Sequence, residues 1–216
     1  KERQPDWTDM HYQMRNWYYY TWLSGDFNVE QHVHYLDICA WAKGEYPVKA
    51  IGMGGREVRH EAKYGNIFDH HSVVYEFADG ARLVSNTRQI KGCKSDMSAQ
   101  VIGSKGRANI NESARGIHLE QPGRDRWTFE GEKNNFYQTE HDEMYAGIRA
   151  GKPLNNGEYM AHSTLLAIMG RMATYTGQQV TWSQALNSKE DLTPLKYAWG
   201  DAPEAPLAVP GMTKLI

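Results

Sequence analysis

The chain has 216 residues, with 24 Lys plus Arg against 26 Asp plus Glu and a formal net charge of −2. That is enough for one large domain with a sizeable buried core. The balance excludes a basic nucleic-acid footprint and a polybasic membrane patch, and no run of 18 apolar residues is present to cross a bilayer. Seven Trp and thirteen Tyr suit surfaces that need an apolar body and a polar tip, such as sugar sites and subunit interfaces.

The opening KERQPDWTDM has neither an apolar signal core nor an initiator Met, and reads as the start of a fragment or processed chain. Periplasm and cytoplasm both remain open. The two cysteines, Cys39 and Cys93, make neither a disulfide framework nor a CxxC pair. Residues 1–28 are aromatic and irregular. Trp7, Met10, Met14 and Trp17 match helical spacing, and Ser24-Gly25-Asp26 reads as a turn.

Residues 29–43 read as one helix closed by Gly44. Val29, Val33, Leu36 and Ala40 form its apolar stripe. Glu30, His34, Asp37 and Trp41 form a polar stripe beside it. From Pro47 to about residue 130 the texture is short strands and turns. Asp79-Gly80 joins HSVVYEFA to ARLVSN as a hairpin, and Ser104-Lys105-Gly106 makes a second turn of that sort. Helices return over 137–150 and 158–176, the second with Leu165, Ile168, Met169, Met172 and Thr176 at core spacing and Gly177 as its stop. The tail from 203 carries Pro203, Pro206 and Pro210 and wraps the surface without regular structure. The order implies an α+β fold: a mostly antiparallel (mixed) open β-sheet with helices packed on one face. Val73, Tyr75 and Phe77 point one way, and Val74, Glu76 and Ala78 the other. The uncovered, half-apolar face is expected to serve oligomerisation, as a homodimer or homotetramer.

Glu30, His34 and Asp37 are the leading chemical candidate. Carboxylates one turn either side of an imidazole favour its charged form and fix its tautomer, as a proton acceptor for a hydroxyl requires. The competing reading is a merely solvated helix side. His32-x-His34 has the outline of a cupin metal motif, but on a helix His32 turns away, so no metal site is assigned. His70-His71 alternate across a strand and cannot chelate together; a surface reading is favoured. Glu140-His141-Asp142 opens a helix, where acidic residues suit the macrodipole, and His141 is the site candidate there. WYYYTW at 17–22, with Trp22, either stacks on sugar rings or forms an interface cluster. His162 reads as a satisfied core histidine. Gly52, Gly54 and Gly55 have the wrong spacing for a dinucleotide fingerprint and lead into no helix.

The segment WYYYTWLSGDFNVEQHVHYLDICAWAKGEYPVKAIGMGGR resembles the Gfo/Idh/MocA oxidoreductases, in a bacterial branch with a distinctive C-terminal α/β domain. The H-x-x-D helix ahead of a Trp and a G…P turn corresponds to His34, Asp37, Trp41, Gly44 and Pro47. TRQIKGC, VIGSKGRANI, EHDEMYAGIRAGKPLNN and HSTLLAIMGRMATYTGQQVTW extend the likeness. The resemblance implies that residues 1–216 are a C-terminal substrate-binding and oligomerisation domain, without the N-terminal Rossmann domain that holds NAD or NADP and an E-K-P lysine. It implies an oxidoreductase for a secondary alcohol of a sugar, polyol or glycoside, or a redox-assisted glycosidase. The residues by themselves leave open a non-catalytic carbohydrate-binding module and a metal-dependent cupin-like enzyme. In the intact enzyme His34 would act with the lysine on the hydroxyl proton, and Glu30, Asp37, Trp22 and His141 would bind substrate. Glu30 stands where the family's inositol dehydrogenases have Asp, so substrate identity does not carry over. This chain alone is expected to be inactive and to bind no cofactor.

Overall fold

Thr8 opens the first helix, its hydroxyl accepting from the His11 N–H at 3.2 Å. This cap replaces a partner that the helix start lacks. The computed structural model describes residues 1–111 and 116–216. Its helices are α1 (Asp9–Arg15), α2 (Thr21–Ser24), α3 (Phe27–Glu30), α4 (Val33–Lys43), α5 (Phe136–Arg149), α6 (Gly157–Thr176) and α7 (Trp182–Leu186). Its strands are β1 (Lys49–Gly55), β2 (His70–Glu76), β3 (Arg82–Arg88), β4 (Ser98–Gly103), β5 (Gly106–Asn111), β6 (His118–Glu120), β7 (Trp127–Thr128) and β8 (Val180–Thr181).

The single helix expected over 29–43 is broken into α3 and α4. The N–H groups of Gln31 and His32 both donate to the Phe27 carbonyl at 3.0 Å, so one turn is widened and the helical register is lost. The His32 ring is held by Ser85 of β3, Nε2 to Oγ 2.7 Å. Gly44 closes α4 at φ 79°, as its position predicts.

The chain divides into two compact units, Lys1–Cys93 with His162–Ile216, and Lys94–Ala161. The first holds a sheet in the order β3-β2-β1-β8. The second holds a sheet in the order β4-β5-β6-β7, with α5. One open sheet was expected and there are two; every strand pairing among the described residues is antiparallel. Both expected hairpins form, β2–β3 around Asp79-Gly80 and β4–β5 around Ser104-Lys105.

In the first unit Ala50, Val73, Tyr75 and Val180 of the sheet pack with Leu36 and Ala40 of α4 and Leu166, Met169 and Ala173 of α6. Burial of α6 is not a stripe: from Leu166 to Thr176 nearly every residue is buried. The β1 glycines have a packing reason. A Cβ on Gly52 would stand 2.7 Å from the Ser72 carbonyl and 3.0 Å from Thr174, and one on Gly54 2.6 Å from the His70 carbonyl. They let β2 and α6 close on β1. The other sheet face is open: Ile51, Val74 and Val84 stand side by side across β1, β2 and β3, with Ile51 and Val84 exposed.

The tail wraps the first unit without regular structure, as expected. The Met10 N–H donates to Gly200 O, Gln13 Nε2 to Pro203 O, and the Gly211 N–H to Thr176 O. In the second unit Arg107 is paired with Glu120 at 2.6 Å across β5 and β6. No helix among the described residues is long and apolar enough to cross a membrane.

Candidate functional site

The break between α3 and α4 leaves Glu30, Gln31 and His34 at one edge of the first unit. His34 and Gln31 are exposed and Glu30 is half-buried. Among the described residues neither the Glu30 carboxylate nor the His34 ring has a hydrogen bond or ion pair, so no carboxylate fixes the imidazole as the one-helix reading required. Asp37 is engaged elsewhere: Ser163 of α6 donates to it, and Ser163 in turn meets the Tyr46 hydroxyl at 2.9 Å. Trp41 is 74% exposed. The polar stripe is thus parted, with Asp37 held against α6 and Glu30 off the α4 register.

Behind this edge lies a buried polar network that the sequence reading missed. Asp26, fully buried, caps α3 through the Asn28 N–H at 3.2 Å. Its carboxylate also accepts from the Phe68 N–H at 2.9 Å, the Tyr175 hydroxyl at 2.6 Å and His71 Nε2 at 3.1 Å. His71 Nδ1 meets the Thr174 hydroxyl at 2.9 Å. Burial alone would push the Asp26 carboxyl up. The charge and hydrogen bond of His71, then the bonds from Tyr175 and Phe68, outweigh it and hold the carboxyl below its usual range. Burial and the Asp26 charge push the Tyr175 phenol well up. The favoured surface reading of His70-His71 fails for His71, which is 2% exposed. The strand period carried the signal, because His71 shares a face with Val73 and Tyr75. His70 bonds to Asp69 at 2.8 Å.

His32 and His34, the sequence's H-x-H pair, part company. Burial, with the charge of His71, pushes the His32 imidazole down to about 4, while His34 faces solvent. A second relay runs along the edge: Arg59 Nη2 donates to Gln89 Oε1, and Gln89 Nε2 donates to the Tyr18 hydroxyl and to Gln31 Oε1. The Tyr18 phenol is raised first by burial; Gln89 lowers it, and the Glu30 carboxylate raises it further.

Trp22 is not brought to His34. Its indole N–H donates to Gln13 Oε1 at 2.6 Å. It lines a cavity of about 960 Å³ with Asn66, Tyr175 and the tail, whose lining includes neither Glu30 nor His34. His141 lies on exposed α5 of the second unit, its Nδ1 on the Tyr137 carbonyl at 2.7 Å. His162 packs its ring against Tyr46 and Trp182. An imidazole without a hydrogen bond, as in His34, can accept a proton, and a carboxylate without one, as in Glu30, can accept from a hydroxyl. The β1 glycines Gly52 and Gly54 are taken up by packing against Ser72, Thr174 and His70, and among the described residues no α-helix opens between β1 and β2 to present its N-terminus to a pyrophosphate.

Residues 3–109 match the model of the GFO/IDH/MocA C-terminal domain. Among solved structures the chain is similar to aldose-aldose oxidoreductase from Caulobacter crescentus complexed with glycerol, at 19% identity and TM-score 0.64, over 76% of this chain and 50% of that one. It is similar to UDP-N-acetylglucosamine 3-dehydrogenase from Acidithiobacillus ferrooxidans, at 15% identity and TM-score 0.56, over 66% and 45%. It is also similar to the WlbA dehydrogenase from Bordetella pertussis in complex with NADH and UDP-GlcNAcA, at 16% identity and TM-score 0.50, over 70% and 44%. The chain spans about half the length of these structures. No curated protein sequence matches it.

Proposed function

Because the chain belongs to the GFO/IDH/MocA C-terminal domain family, we propose that it is the substrate-binding part of an NAD(P)-dependent oxidoreductase for a secondary alcohol of a sugar, polyol or glycoside. Oxidising such an alcohol needs an acceptor for the hydride and an acceptor for the hydroxyl proton. The first is assigned, by the family likeness, to a dinucleotide-binding part of the enzyme. The second is His34, whose ring faces solvent with no protein partner among the described residues; this observation carries the reading. Glu30 accepts a hydrogen bond from a substrate hydroxyl. Asp37 contributes less, since Ser163 already occupies it. The open face of the first sheet supports self-association in that enzyme.

The test is His34→Ala in the full-length enzyme. Turnover falls by about 10²–10⁴, the range for a positioned acid or base, while Asp37→Asn costs less. Unchanged turnover in folded His34→Ala refutes the assignment. Sugar binding by this chain that survives His34→Ala, with no oxidoreductase activity in the full-length protein, favours a carbohydrate-binding module instead.

A further inference from the structure

We infer that Gln31 is a substrate-orienting hydrogen-bond donor which, with Glu30, forms a subsite for two neighbouring hydroxyls of a neutral sugar or polyol. The inference rests on the reading of Glu30 and His34 as the reacting edge, and adds which residue orients the ring there.

The argument starts at the buried end of the relay. Arg59 is 7% exposed, and a guanidinium can only donate. Its Nη1 donates to the Phe68 carbonyl at 3.1 Å and its Nη2 to Gln89. The atom of Gln89 facing Arg59 is therefore Oε1, and Nε2 faces outward. That nitrogen can only donate, and its two partners are the Tyr18 hydroxyl at 2.6 Å and Gln31 Oε1. Tyr18, having accepted from Gln89, gives its own proton to Gln31 Oε1 at 3.0 Å. Gln31 Oε1 thus takes two donors, which fills its two acceptor positions. Turning the amide over would set its NH₂ against two donors, so Arg59 fixes the polarity of Gln31 through Gln89.

With Oε1 held in the relay, Gln31 Nε2 is the free end of the amide and donates to no acceptor among the described residues. Glu30, the preceding residue, is acceptor-only when ionised, and its charge reaches the Tyr18 hydroxyl. A donor of set polarity and an unengaged carboxylate on the preceding residue suit a vicinal diol. One hydroxyl donates to Glu30, and the neighbouring oxygen accepts from Gln31. No proton is transferred by Gln31; it sets which hydroxyl lies toward His34.

The experiment titrates the ¹⁵N-labelled chain and follows the Gln31 side-chain amide and the His34 ring by NMR. D-glucose and myo-inositol serve as probes, since together they present trans and cis vicinal pairs. Tetrahydropyran-2-methanol, a ring with a single hydroxyl, is the control. The expected result is that at least one polyol shifts both resonances and the control shifts neither. Gln89→Glu keeps an acceptor for Arg59 but removes the donor to Gln31, and weakens binding about fivefold, as losing one hydrogen bond does. Gln31→Leu, at an exposed position, does the same without risk to the fold. A polyol that shifts His34 but not Gln31, or binding unchanged in both variants, overturns this inference and leaves the proposed function standing. No shift of either resonance by either polyol overturns the subsite, while turnover of His34→Ala in the full-length enzyme decides the proposed function separately.

Discussion

His71 Nε2 lies 3.1 Å from Asp26 Oδ1, and neither side chain has any exposed surface. The pair ties the sheet to the start of α3 through the residue with the least favourable backbone. Asp26 has φ 82° and ψ 156°, and it is the only residue other than glycine with positive φ among the described residues. Such a conformation costs on the order of 1–3 kcal/mol and persists where the surroundings over-determine it. Here four donors converge on the carboxylate.

Asp26→Asn removes the negative partner and leaves the His71 ring buried without it. The expected loss is about 3–5 kcal/mol, as for other buried pairs broken on one side, read as a lower urea midpoint at pH 7. Because the folded carboxyl is held below its usual value of 3.8, its contribution is fully present above that pH. It is lost as pH falls through the lower folded value. The variant's stability changes less than the parent's across that acid range; parallel curves would remove Asp26 as the cause.

His32 predicts a second and milder acid sensitivity. Its imidazole is pushed from 6.5 down to about 4. Between those values the unfolded chain takes up a proton and the folded chain does not. Stability is therefore full above pH 6.5 and falls toward pH 4, by about 2–3 kcal/mol. His32→Gln flattens this part of the pH–stability profile, which denaturation at pH 7 and pH 4.5 measures.

Gly170→Ala sets a Cβ 2.0 Å from the hydroxyl of buried Tyr75. Overpacking of this kind costs about 1–3 kcal/mol, visible as a lower melting temperature. Tyr75→Phe removes the clashing oxygen and restores part of the loss in the double variant. Full additivity of the two changes contradicts the contact.

The row Ile51, Val74 and Val84 across the open sheet face is the expected self-association surface. Val84→Lys, 62% exposed in the parent, places a charge there at little cost to the fold. Light scattering at micromolar concentration shows at least a dimer for the parent and a smaller mass for the variant. A monomeric parent ends the proposal.

The residues by themselves determined the elements whose stabilising contacts are local. Asp79-Gly80 specifies the β2–β3 hairpin because Gly80 supplies the positive φ its turn needs, at 85°. Leu36 and Ala40 mark the buried side of α4, and Gly44 and Gly177 stop their helices, because these signals lie within a turn or two of what they control. Helical spacing, and then likeness of motif, pointed to Glu30, His34 and Asp37; among the described residues the structure leaves the Glu30 and His34 side chains without a hydrogen bond or ion pair and gives Asp37 to Ser163. Tertiary structure decided everything that depended on a distant partner. The helix predicted over 29–43 breaks as His32 reaches Ser85, 53 residues away. His71 becomes half of a buried pair with Asp26, 45 residues earlier. Gln31 is polarised through Gln89, 58 residues on. Periodicity reports which face of an element is apolar. It carries no record of which polar group on another element will stand opposite, and these three contacts are of that kind.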